Sequence, residues 1–247
     1  MTNALTPGCN TELIVALDFS DAQKADALLA ELEGLPVIYK VGLELFLQAG
    51  PEWVKHWINK GRRVFLDLKF HDIPNTVAKA CVQASRMGVE MLTLHTVGGR
   101  QMIDRIQEEL ANEAAKGHQK PKLLGVTVLT SFDDLGWSEV AQATGVESPS
   151  ARHSVEGLVA KASEWGLDGI VCSPWEVSWV AENYPNLLSI VPGIRLDQKV
   201  VGDDQARTMT PKLAAERGAS AIVVGRPIIL AEHPRNTALR ILGDLKC

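Results

Sequence analysis

A single (β/α)8 barrel is the fold that this sequence predicts, and three observations carry the expectation. Eight short runs rich in Val, Ile and Leu recur along 247 residues. Helical patterns lie between them, and a glycine closes most of those helices just before the next run. The glycines at 34, 61 and 88 are spaced by 27 residues, so the repeating unit is one strand plus one helix. Strands alternating with helices build a parallel sheet covered on both faces. Eight such units in about 250 residues close into a barrel.

The expected strands are LIVALD (13–18), VIYKVG (37–42), RVFLDLK (63–69), EMLTLHT (90–96), KLLGVTVLT (122–130), GIVCS (169–173), LLSIVPGI (187–194) and AIVVGR (221–226). Ser20 with Gln23 reads as a capping box opening the first helix. Pro51 reads as the first residue of another, where a missing N–H costs nothing. Gly34, Gly61, Gly88, Gly117, Gly166 and Gly218 sit where a left-handed residue ends a helix. An open doubly wound sheet is the runner-up, but its first turn is usually glycine-rich, and here that turn reads ALDFSDAQK. The longest irregular piece expected is 131–150, after the fifth strand, where a lid or binding loop would belong. The domain reading is an N-terminal extension over 1–10 and one barrel over 11–247.

Composition excludes several classes. The chain is 46% hydrophobic and 22% charged, with net charge −5. Mild acidity disfavours a broad nucleic-acid or anionic-membrane surface, while leaving room for a local basic pocket. No apolar run reaches the ~18 residues of a membrane span. The first residues lack the basic and apolar regions of a signal peptide. Cys9, Cys81, Cys172 and Cys247 are scattered without a C-x-x-C pair, as expected of reduced thiols in a cytoplasmic protein. There is no H-E-x-x-H, GxSxG, Walker loop or GxGxxG.

Barrel chemistry belongs at the carboxyl ends of the strands. Those ends carry Asp18, Lys40, Asp67 with Lys69, His95, Thr130, Ser173, Arg195 and Arg226. Period two puts Asp67 and Lys69 on one face of their strand, where Asp18 and Lys40 from neighbouring strands could join them. Such a cluster is either a structural ion-pair network or a site offering a fixed proton donor beside a fixed negative charge. The second suits chemistry that makes and quenches a carbanion. VPGIR (191–195) and VVGRPI (223–228) each set a glycine beside an arginine where barrels commonly hold phosphate, tight turns being the alternative. Gly98-Gly99-Arg100 reads as a turn. His71 falls out of register with Asp67 and Lys69, which suggests packing rather than catalysis. His56, His118, His153 and His233 read as surface positions, and the tryptophans at 53, 57, 165, 175 and 179 as packing.

DLKFHDIPNT (67–76) resembles the signature segment of the orotidine 5′-monophosphate decarboxylases. The resemblance continues through VALDFSD, YKVGLELF, VTVLTS, VPGIR, GDDQARTMTP and VVGRPI, covering all but the first ten or so residues. It implies a homodimeric enzyme without metal or organic cofactor that converts orotidine 5′-monophosphate to uridine 5′-monophosphate. Lys40, Asp67, Lys69 and Asp72 would form its alternating charged array, with Asp72 reaching in from a second subunit. Lys69 would protonate C6 as carbon dioxide leaves, beside Asp67. The resemblance further implies that Asp18 and Lys40 hold ribose hydroxyls with Thr76 of the partner, and that Thr130 meets the pyrimidine. Arg195, Gln205, Gly225 and Arg226 would bind phosphate, and Ile73 and Pro192 complete the expected substrate-binding set. One departure is HTVGG (95–99), where the family pattern has a smaller HASGG-like run; it bears on packing beside the mouth. The nearest alternatives are the magnesium-dependent keto-gulonate-phosphate decarboxylases and hexulose-phosphate synthases. They share D-x-K-x-x-D but carry a glutamate metal ligand where this chain has Lys40. A phosphate-ligand barrel without catalysis is the other alternative.

Overall fold

The computed structural model describes residues 11–143, 145, 150–196 and 208–246. Its strands are β1 (Glu12–Ala16), β2 (Val37–Gly42), β3 (Arg63–Phe70), β4 (Met91–His95), β5 (Lys122–Val126), β6 (Gly169–Val171), β7 (Leu188–Val191) and β8 (Ala221–Val224). The helices are α1 (Ala22–Glu31), α2 (Leu43–Asn59), α3 (Pro74–Met87), α4 (Gly99–Ala114), α5 (Asp134–Gln142) and α6 (Ala151–Glu164). They continue with α7 (Val177–Asn183), α8 (Pro211–Glu216), α9 (Arg226–Ile229) and α10 (Pro234–Asp244). All eight strands pair in parallel and in chain order, and β8 pairs back onto β1, so the barrel is closed as the sequence predicts.

The punctuation follows the expected chemistry with two corrections. All six helix-ending glycines have φ between 73° and 90°, the region where a Cβ is penalised. Gly50 breaks α2 with φ 76°, so Pro51 does start a new helical segment. The first helix, however, is capped by Asp21, whose carboxylate accepts from the Gln23 N–H at 2.9 Å, not by a Ser20–Gln23 box. A carboxylate held one residue nearer the helix reaches that orphan donor directly. The 131–150 segment is not irregular throughout: it contains α5, capped by Asp133 through the Gly136 N–H. β5 also ends at Val126 rather than at 130.

The barrel interior is filled by Ile14, Ile38, Phe65, Met91, Leu124, Leu188, Ile190 and Ala221, a layer separate from the larger core between sheet and helices. Arg63 closes the floor end. Its guanidinium donates to Glu90 at 2.6 and 2.7 Å and to Glu12 at 2.7 Å, which raises its pKa further. Trp53 and Trp57 both donate to Asp26 and pack on the core, as do Trp165 and Trp179. Trp175 corrects the packing expectation, being 66% exposed in the turn after β6. The four histidines read as surface residues are exposed. Cys81 and Cys172 are buried free thiols, and burial pushes Cys81 up to about 12. Cys9 and Cys247 lie outside the described residues. Among the described residues no helix is long and apolar enough to cross a membrane.

The β6–β7 seam depends on one missing side chain. A Cβ at Gly169 would lie 2.5 Å from the Leu188 carbonyl oxygen and 2.7 Å from its Cβ, backbone that cannot yield. Gly169→Ala is therefore expected to cost about 1–3 kcal/mol. Gly157→Ala, in open space on α6, should gain about 0.4–1 kcal/mol. Thermal denaturation of the two variants checks the contrast; equal melting temperatures would refute it.

Candidate active site

Two of the charged residues, Asp67 and Lys69, reach the mouth at an irregularity in β3. Its pairing with β4 runs Phe65 to Met91 and Leu66 to Leu92, then resumes at Phe70 to Leu94. Asp67, Leu68 and Lys69 thus oppose the single residue Thr93. Lys69 takes φ 51°, a left-handed backbone that costs a side-chain-bearing residue about 1–2 kcal/mol. Such bulges re-aim side chains, and they concentrate near active sites.

Four side chains form an alternating array along β1, β2 and β3. Lys40 Nζ lies 2.9 Å from Asp18 Oδ1 and 3.8 Å from Asp67 Oδ2. Lys69 Nζ donates to Asp67 Oδ1 at 2.9 Å. Thr93, which is fully buried, donates its hydroxyl proton to the same Oδ1 at 2.9 Å and accepts from the Lys69 backbone N–H at 2.9 Å. Both Asp67 oxygens therefore face donors, and its orientation is held from three sides. The side chains of Lys40 and Asp67 are only 12% and 14% exposed, while Lys69 at 33% has its ammonium open to the cavity.

The array forms one wall of a cavity of about 260 Å³ at the barrel mouth. Val126, Val128 and Thr130 supply a second wall, and Pro192, Gly193, Arg195, Gly225 and Arg226 the side after β7 and β8. Gly225 admits the approach to Asp18: a Cβ there would stand 3.2 Å from Asp18 Oδ2. The Arg195 guanidinium donates to the Ile194 carbonyl at 2.8 Å. A bridge between Ile194 and Met209 brings the two rims of this side together. The cavity thus has one wall of mixed charge, one apolar wall and one cationic end.

Nine of the residues expected from the sequence meet at this cavity: Asp18, Lys40, Asp67, Lys69, Thr130, Pro192, Arg195, Gly225 and Arg226. Asp72, Ile73 and Thr76 do not. They are exposed at the start of α3, where the Asp72 carboxylate accepts from the Ile73 N–H at 2.6 Å. Gln205 lies outside the described residues. Thr93 is the residue that reading strand ends missed. Its signal was available, since counting by twos from Met91 puts a hydroxyl on the inner face of β4. His71 packs on His95 with ring centres 5.5 Å apart. Burial, then the neighbouring His71 and Lys69, holds His95 below the ordinary imidazole range. In the HTVGG departure Thr96 is buried against Gly125, while Val97 turns outward at 52% exposure.

Similarity to known proteins follows the whole barrel. The family model described as orotidine 5′-phosphate decarboxylase / HUMPS family matches residues 11–241. The orotidine 5′-phosphate decarboxylase of Legionella pneumophila (strain Corby) is 42% identical over 235 residues, spanning 95% of this chain and 99% of its own. That of Halorhodospira halophila is 43% identical over 234 residues, covering 94% and 95%. The crystal structure of the Lactobacillus acidophilus orotidine 5′-phosphate decarboxylase superimposes with a TM-score of 0.84 at 37% identity, over 96% of this chain and all of the other. The chain belongs to the orotidine 5′-phosphate decarboxylase / HUMPS family.

Proposed function

We propose that this protein is a carboxy-lyase that converts orotidine 5′-phosphate to uridine 5′-phosphate, the last step of UMP synthesis. The observation that carries the reading is the Lys40 ammonium seated between Asp18 and Asp67. The metal-dependent branch of the superfamily would need an anionic ligand at this strand end. A lysine repels a divalent cation instead, and it leaves the array able to work by its own charges.

Losing carbon dioxide from C6 of the pyrimidine breaks the C6–carboxyl bond and leaves the electron pair on C6. No adjacent carbonyl delocalises that pair, so the barrier falls only if preorganised charge meets it. In this reading Lys69 Nζ faces C6, stabilises the pair and passes it a proton, then recovers a proton from solvent. Asp67 orients the Lys69 ammonium through their 2.9 Å hydrogen bond and stands beside the departing carboxylate. Asp18 and Lys40 take the ribose hydroxyls, and Thr130 with Pro192 borders the pyrimidine. Arg195, Gly225, Arg226 and Gln205 take the phosphate, whose remote binding energy holds the ring in place. No step is assigned to a metal or organic cofactor.

The unit at work is a homodimer of barrels spanning 11–247, each behind a short N-terminal extension, in the cytoplasm. Asp72, Ile73 and Thr76 complete the site of the second copy. Supporting this, Ile73 (68% exposed) at the N-cap of α3 and Leu43 (55%) and Leu47 (81%) in the first turns of α2 leave apolar surface at the same barrel end. Two buried unpaired thiols suit a reducing compartment.

Incubation with orotidine 5′-phosphate and a metal chelator tests the reaction. Loss of the orotate chromophore with uridine 5′-phosphate appearing is the expected result. An unchanged chromophore, with turnover of a sugar phosphate once magnesium is supplied, would replace this reading with the metal-dependent one.

A further inference from the structure

Thr93 closes a ring of hydrogen bonds that no other described residue completes. The Lys69 N–H donates to Thr93 Oγ1, Thr93 Oγ1 donates to Asp67 Oδ1, and Lys69 Nζ donates to the same oxygen, each at 2.9 Å. The hydroxyl has one proton and uses it on the carboxylate, so its lone pair is what receives the backbone N–H. Thr93 also stands alone opposite the three-residue bulge, and Lys69 is the only non-glycine residue of positive φ among the described residues. One side chain therefore ties the strained backbone of the lysine to the carboxylate that orients its ammonium. Beneath it the inner face is apolar, starting with Met91, so an unpartnered hydroxyl there would be costly.

We propose that Thr93 is a positioning residue for the decarboxylation, setting where Lys69 Nζ stands relative to C6. This rests on the function proposed above. It touches no substrate: it is fully buried and acts through Lys69 and Asp67. Its contribution should therefore appear in the chemical step and not in nucleotide binding.

The test is steady-state kinetics on Thr93→Val, nearly the same shape without the hydroxyl, with Thr93→Ser as the conservative rescue. Removing a hydrogen bond to a charged group in the array should lower kcat roughly 10- to 100-fold. KM for orotidine 5′-phosphate and Kd for uridine 5′-phosphate should stay within about twofold, as for an interaction felt only in the transition state. Thr93→Ser should recover most of kcat. Should Thr93→Val fail to fold, Thr93→Ala, which leaves room for a water, is read by the same split. An unchanged kcat in a folded variant overturns the proposal, and so does a fall in product affinity matching the fall in kcat. Wild-type protein that leaves orotidine 5′-phosphate untouched would instead overturn the underlying function.

Discussion

Turnover of orotidine 5′-phosphate by a Lys69→Ala variant is expected to fall by about 10⁴-fold or more, while binding of uridine 5′-phosphate remains measurable. Two losses combine. A positioned general acid contributes roughly 10²–10⁴-fold, and a charge aimed at a developing anion a further ~10²–10³-fold. The rest of the site should keep its shape. Asp67 retains the Thr93 hydroxyl at 2.9 Å and the Lys40 ammonium at 3.8 Å, and Lys40 retains Asp18. Alanine keeps the Cβ, so the backbone strain at φ 51° is the same in the variant as in the parent. A stopped assay for uridine 5′-phosphate, with calorimetric titration of the product, separates the two effects. A loss of under about tenfold would remove Lys69 from the role of proton donor.

Activity should return when two inactive variants are mixed. Asp72→Ala and Lys69→Ala would each disable every site in their own homodimers. In a mixed dimer one site would carry both substitutions and its twin neither. With free exchange of subunits in a two-fold symmetric dimer, an equal mixture should regain about a quarter of wild-type activity. The expectation rests on the homodimer proposed above, and the geometry is compatible with it: Asp72 carries its charge at an exposed turn and does not line the cavity of its own barrel. Persistent inactivity of the mixture, after subunit exchange has been verified by mass, would mean that Asp72 does not serve a neighbour's site.

Much of this was legible from the residues alone, for reasons that differ from place to place. Runs such as VIYKVG announce buried parallel strands because both faces demand apolar side chains, and β2 falls where the run does. Gly88 announces a helix end because only a residue without Cβ takes φ 85° freely. Asp67 and Lys69 share a face because the side-chain period is two. That same period hides the bulge, since two surplus residues restore parity and leave no trace in the alternation. Thr93 was therefore invisible as a partner of Lys69 until pairing with β4 could be counted. The Asp21 cap lost out in the sequence to Ser20 because both are good caps, and only backbone direction distinguishes them. α5 was missed because its hydrophobic face is weak, with Ala141 its one buried residue.

The backbone angle at Lys69 sets two selections against each other. Glycine would sit at φ 51° without strain and relieve about 1–2 kcal/mol, a large share of the marginal stability of a folded domain. A lineage screened only for heat tolerance or for yield would drift toward glycine there and arrive at a sturdier barrel with nothing to do. In the proposed reading, a lysine would be kept at this angle only where turnover of orotidine 5′-phosphate is itself selected, so the strained dihedral would be the mark of a residue retained for chemistry.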